Sequence, residues 1–129
     1  MTPFHIPDEN RKGAILVNGV YPGPAVECFV NDTVEITVVN NLLSEATSIH
    51  WHGVHPVDQP WADGAAWVTQ APIEPGYNWT YSFRAWPAGT HYWHSHMDAL
   101  QVGPKILAFG LSFTLTRTCR WAKACAAPS

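Results

Sequence analysis

No stretch of residues 14–96 keeps an apolar period near 3.6 for three helical turns, and this constrains the fold more than any other feature of the chain. Apolar residues come instead in short runs cut by turn-forming dipeptides. Ala14–Val17 ends at Asn18-Gly19, a pair suited to the positive φ angles of a tight hairpin turn. Tyr21-Pro-Gly-Pro24 then imposes a stiff connection, because each proline fixes its own φ and biases the residue before it toward extended backbone. Val26–Val30 reads as a strand, Asn31-Asp32 as a turn, and Thr33–Asn40 as the partner strand of a hairpin. Within that partner Val34, Ile36 and Val38 alternate with Thr33, Glu35 and Thr37, the period of a strand with one buried face. Ser48–His52, Trp67–Thr69, Trp79–Phe83, Thr90–His96 and Ile106–Leu115 are further strand candidates, with Trp79, Tyr81 and Phe83 expected in the core. Residues 1–13 look loop-like. Short strands at turn-marked intervals point to an all-β, antiparallel sandwich.

Composition agrees with that reading. The chain has 129 residues, 47% hydrophobic and only 13% charged, with 7 Trp and 11 Pro, which favours many short strands in one domain. A net charge of −3 removes the electrostatic case for a nucleic-acid partner. All 10 acids precede residue 100, whereas Lys105, Arg117, Arg120 and Lys123 follow it, so the tail differs in character from the body. No run approaches the ~18 apolar residues of a membrane span. The start has no basic segment leading into an apolar one, so no signal peptide is visible. Asn31-Asp-Thr33 and Asn78-Trp-Thr80 have the form of glycosylation acceptors. Of the three cysteines, Cys119 and Cys125 could pair locally and leave Cys28, but spacing does not decide it.

Function concentrates in two His-x-His pairs, His50-Trp51-His52 and His94-Ser95-His96, each inside a strand-like aromatic run. Successive strand residues alternate faces, so each pair projects two imidazoles from one side, with Trp51 or Ser95 on the other. Two such strands side by side would gather four imidazoles. That donor set suits Cu, Zn, Fe or Ni rather than Mg or Ca, and a nitrogen-only site binds Cu(II) most tightly. Other metal folds also use His-x-His, but the Glu of cupin-like sites is absent after His52, and a (β/α)8 barrel needs a far longer chain. A site of three histidines plus water stays open. His55 and His91 fall outside the paired pattern and read as rim or structural residues, and His5 as a loop residue. Trp51, Tyr92 and Trp93 read as packing around the site.

Several local motifs then come together. Val17-Asn-Gly-Val-Tyr-Pro-Gly-Pro24, Asn31-Asp-Thr33, Ser48-Ile-His-Trp-His-Gly53, Trp61-Ala-Asp-Gly64, Val68-Thr-Gln-Ala-Pro-Ile73 and Gly89-Thr-His-Tyr-Trp-His-Ser-His96 resemble, in order, the first cupredoxin domain of multicopper oxidases. The resemblance covers roughly residues 14–101 and looks most like the laccase-like branches. It implies a cupredoxin-like Greek-key β-sandwich, with a plastocyanin-like domain over 14–101, extended to about 115, and a divergent, disordered basic tail over 116–129. It also implies roles: His50 on the type 2 copper, His52, His94 and His96 on the type 3 pair, and Asp63 in proton delivery to reduced oxygen. The family's reaction is oxidation of phenols, related aromatics or metal ions coupled to reduction of O2 to water, and the family is mostly exported.

Departures from the family pattern limit that expectation. The three-copper cluster needs eight histidines from two domains, and four are found here. No cysteine adjoins a histidine, so the His-Cys-His segment of type 1 copper is missing. Ala71 stands where the family often has a disulfide cysteine, and Val102-Gly-Pro-Lys105 replaces the usual glycine-rich turn, as in a truncated or misjoined reading frame. The chain is thus expected to hold half of a site for up to three copper ions, shared with a second cupredoxin domain or chain, and to be inactive alone. A copper-binding assembly module completed by a partner chain, a mononuclear His-ligated hydrolase and a metal-free fragment are the rival expectations.

Overall fold

The computed structural model describes residues 2–5, 13–20, 23–97 and 108–113. Its strands, in chain order, are β1 Thr2–His5, β2 Gly13–Leu16, β3 Val26–Cys28, β4 Thr33–Val39, β5 Ile49–His52, β6 Asn78–Arg84, β7 Gly89–Ser95 and β8 Ala108–Phe113. A 3-10 turn at Pro60–Asp63 is the one helical segment among the described residues. Strands β3-β8-β7-β5 form a four-stranded sheet, β4 and β6 an antiparallel ribbon, and β1 and β2 a second ribbon. From β3 to β7 consecutive strands therefore alternate between the four-stranded sheet and the β4–β6 ribbon, and only then does β8 pair with its predecessor β7.

The layers meet through the residues that period-two patterning turns inward. Ile49 and Trp51 of β5 and Trp93 of β7 share one buried cluster with Val34 of β4 and with Tyr81 and Phe83 of β6. The Trp51 ring centre lies 5.4 Å from that of Tyr81 and 5.1 Å from that of Phe83. Aromatic burial of this kind contributes roughly 1.5–3 kcal/mol per side chain. One polar tie crosses the core: the Ile49 N–H donates to the Tyr81 hydroxyl at 2.9 Å. Burial pushes the Tyr81 phenol up to about 12, against the opposing pull of its hydrogen bonds with Ile49 and Gln70.

The Asn18-Gly19 turn forms as expected, with φ of 55° and 73° and reciprocal backbone bonds between Val17 and Val20. Other expectations need correction. β3 and β4 are not a hairpin, since β3 pairs in parallel with β8 and β4 pairs with β6. Asn31-Asp32 does reverse the chain, but two 2.9 Å bonds join Asn31 and Asp32 to Ala85 and send β4 into the opposite layer. The parallel β3–β8 pair also departs from a purely antiparallel sandwich. Trp67–Thr69 is a turn rather than a strand, with Trp67 at φ 66° and the Ala65 carbonyl accepting from Val68 and Thr69. Trp79 is exposed, because it pairs with Val38 at the end of the β4–β6 ribbon, where the neighbouring positions also face solvent. Thr2–His5 is a strand, held by pairing to β2 across residues that carry no local strand pattern. Cys28 is buried in the core. Cys119, Cys125 and the tail over 116–129 lie outside the described residues.

Candidate metal centre

Register builds the site. β5 and β7 run antiparallel with His50 opposite His94, Trp51 opposite Trp93, and His52 opposite Tyr92. Pleating then divides the side chains: Trp51 and Trp93 enter the core, while His50, His52, Tyr92 and His94 share the other face. His96 follows directly after β7. Its N–H donates to the Ser48 carbonyl at 3.0 Å, and its own carbonyl accepts from Ser48 Oγ at 3.1 Å, so a buried serine continues the ladder.

All four paired histidines come together, with His50 at the hub. Its ring centre lies 5.4, 5.4 and 5.3 Å from those of His52, His94 and His96, each in an edge-on arrangement. His50, His52 and His94 each offer one ring nitrogen, and those three atoms lie within 4.8 Å of one another. His96 is adjacent but outside that closest set.

Backbone carbonyls fix which nitrogens are available. His50 Nδ1 lies 2.7 Å from the Asp63 carbonyl oxygen, and His94 Nδ1 lies 2.8 Å from that of Ser95. A carbonyl only accepts, so both Nδ1 atoms carry the proton and both Nε2 atoms keep a free lone pair. His52 Nδ1 faces His94 Nε2 at 3.4 Å. Two lone pairs do not face each other at that distance, so in the metal-free chain the His52 proton points into the gap. Burial lowers the His94 pKa, its bond to Ser95 opposes this, and the imidazoles of His50, His52 and His96 lower it further. The neutral, metal-binding form of His94 is thereby favoured.

Asp63 stands beside this cluster. It ends the 3-10 turn, and Gly64 follows in a left-handed conformation with φ 85°. A methyl group on Gly64 would collide with the Ile49 carbonyl, so glycine lets the turn pack directly on β5. The Asp63 carboxylate then lies 3.5 Å from His50 Nδ1, with its side chain 31% exposed. His55 is exposed, with its backbone N–H donating to the Trp86 carbonyl and its own carbonyl accepting from Val57, while His91 Nε2 donates to the Pro87 carbonyl at 2.9 Å. Neither joins the quartet.

Two contributors escape a reading of motifs. The carbonyls of Asp63 and Ser95 set the tautomers, but a backbone group carries no sequence signal. Tyr92 lies on the histidine face, and that much was legible, since residues 92, 94 and 96 share parity. The donor set fits copper: neutral, oriented imidazoles suit a borderline-soft metal, and a single nearby carboxylate is too little oxygen for Ca or Mg.

A family model described as multicopper oxidase matches residues 1–108. Laccase-1 of Emericella nidulans is 49% identical over 86 residues, which is 67% of this chain and 14% of that protein. An L-ascorbate oxidase of Brassica rapa subsp. pekinensis is 43% identical over 93 residues, 72% of this chain and 16% of that one. The chain thus spans less than a fifth of either relative. The crystal structure of the laccase from Botrytis aclada superposes with a TM-score of 0.72 at 42% identity, covering 78% of this chain and 18% of that one. Together with the strands seen here, the match identifies the architecture as a cupredoxin-like Greek-key β-sandwich. Among the described residues no helix is long and apolar enough to cross a membrane.

Proposed function

The chain belongs to the multicopper oxidase family, and from that premise we propose that it is the N-terminal, plastocyanin-like domain of a laccase-like member and supplies half of a three-copper site. The domain spans residues 14–101, extended to about 115, and the basic segment 116–129 is a divergent tail. The observation that carries this reading is the convergence of His50, His52 and His94 nitrogens within 4.8 Å. His50 serves the type 2 copper, and His52, His94 and His96 serve the type 3 pair. His52 and His94, whose nitrogens face each other at 3.4 Å, would both hold copper of the type 3 pair. Bound copper supplies the one-electron chemistry that couples oxidation of a phenol, aromatic or metal ion to reduction of O2 to water. The protein's share is orientation: the Asp63 and Ser95 carbonyls hold two ligand rings, and the buried indoles of Trp51 and Trp93 back the strands that carry them. The Asp63 carboxylate, 3.5 Å from His50 Nδ1, is placed to hold and pass protons.

Four imidazoles make half of an eight-histidine cluster, and no His-Cys-His segment is present to admit electrons. A second cupredoxin domain or chain completes the site. The purified chain therefore binds Cu(II) and turns nothing over. Copper titration followed by electron paramagnetic resonance, with an oxygen electrode and a phenolic substrate, tests both halves of the statement. Measurable O2 consumption overturns the half-site reading. The convergence of the His50, His52 and His94 nitrogens also suits one Zn(II) with water in a hydrolytic site. Selective retention of zinc over copper by the purified chain would favour that second reading.

A further inference from the structure

We propose that Tyr92 is a positioning residue for the metal-binding histidines, its phenol ring stacking on His52 and His94 together and holding their nitrogens in convergence. The inference rests on the metal reading above. It goes beyond that reading by giving a structural task to a side chain that ligates nothing.

The geometry follows from register. Tyr92 sits opposite His52 across the β5–β7 ladder and two residues before His94 on the same strand. Cross-strand pairing brings it to one imidazole, and strand parity brings it to the other. Its ring centre lies 4.3 Å from that of His52 at 22° between planes, and 5.4 Å from that of His94 at 23°. The two imidazoles lie 5.6 Å apart and 44° from each other. The phenol plane is thus intermediate between the two imidazole planes, close to parallel with both. By contrast, the contacts within the quartet that involve His50 are all edge-on, between 64° and 81°.

The consequence lies in what holds each ring. His94 is anchored at Nδ1 by the Ser95 carbonyl, and His50 by the Asp63 carbonyl. For His52 the corresponding restraints are the stack on Tyr92 and the facing nitrogen of His94. The stack therefore does for His52 what a carbonyl does for the other two: it limits ring rotation and keeps Nδ1 aimed at His94 Nε2. An imidazole bound to Cu(II) becomes electron-poor, and the face of a phenol is electron-rich, so the stack strengthens when metal binds. Tyr92 is 41% exposed, so replacing it leaves the buried core intact.

The test uses the full chain as wild type, Tyr92→Phe and Tyr92→Leu, each checked for native circular dichroism. In the metal-free protein, NMR reads the ring-current shift of the His52 and His94 ring protons. That shift is present in wild type and Tyr92→Phe and lost in Tyr92→Leu. Cu(II) titration then gives affinity about three- to tenfold weaker for Tyr92→Leu, with altered copper hyperfine splitting, and near-wild-type values for Tyr92→Phe. Equal affinity and identical spectra for wild type and Tyr92→Leu overturn the positioning role while leaving the metal reading intact. Loss in Tyr92→Phe equal to that in Tyr92→Leu also overturns it, by assigning the effect to the hydroxyl. Failure of the wild-type chain to take up Cu(II) overturns the metal reading and this proposal with it.

Discussion

A single methyl group separates an assembled site from a displaced one at Gly64. Its φ of 85° and its contact with the Ile49 carbonyl leave no room for a Cβ, while Asp63 next to it holds the His50 ring. Gly64→Ala should therefore lower the urea midpoint by an amount equivalent to more than about 1 kcal/mol and weaken Cu(II) binding in parallel. Retained stability and affinity would show that the turn does not position His50. His94 makes a second residue-scale prediction, on pH. Its pKa is lowered in the fold, so as pH falls below the ordinary 6.5 the unfolded chain takes up this proton before the folded chain does. The stabilisation is present above 6.5 and is lost below it. Urea midpoints of the metal-free chain should fall from pH 7.5 to pH 5, and His94→Gln should shallow that fall. The four candidate histidines were legible from spacing because strand parity depends only on residue number. The side-chain rotations and carbonyl partners that select their nitrogens depend on tertiary packing and were not.

Strand β5 shows how an element carrying functional side chains is held. It pairs with β7 on one side, and its Ile49 N–H reaches across the core to the Tyr81 hydroxyl on β6. Tyr81→Phe leaves that buried donor without its acceptor and should cost about 1–3 kcal/mol at neutral pH. The same substitution carries a pH signature. Since burial raises the phenol to about 12, the unfolded chain ionises above its ordinary 10.0 while the folded chain keeps its proton. Stability should fall between pH 10 and 12 by roughly 2–3 kcal/mol more in wild type than in Tyr81→Phe. Urea unfolding across that range reads the difference, and parallel curves would place the alkaline loss elsewhere. Element by element, alternation in β4, β6 and β7 was readable in the sequence. Pairing was not: a local pattern says which face is buried, but the partner of β4 is set by bonds from Asn31 and Asp32 to Ala85, far along the chain. For the same reason β1, whose own residues carry little pattern, is a strand only through β2.

At the scale of the whole molecule, chemistry and stability occupy opposite faces of the same two strands. Along β5 and the end of β7 the alternate residues Ile49, Trp51, Trp93 and Ser95 are buried, with Trp51 3% and Trp93 5% exposed, and the intervening positions carry His50, His52 and His94. The core cluster extends from these indoles through Tyr81, Phe83 and Val34 to Ile73, whereas His50, His52, His94 and His96 are half-buried or exposed. Such a division lets the metal face change without loss of the fold. Converting His50, His52, His94 and His96 together to Gln should abolish Cu(II) binding while moving stability by no more than about 1 kcal/mol, as for surface substitutions. Trp51→Ala, one residue from two of those histidines, should cost about 3–5 kcal/mol through lost burial and the cavity left behind. Urea midpoints and copper titrations on the two variants read both effects. Unfolding of the histidine variant would mean that the imidazole ladder supports the sandwich. A folded variant without copper binding would instead place the cost of building the site in the core behind it, where the strands are fixed before any metal arrives.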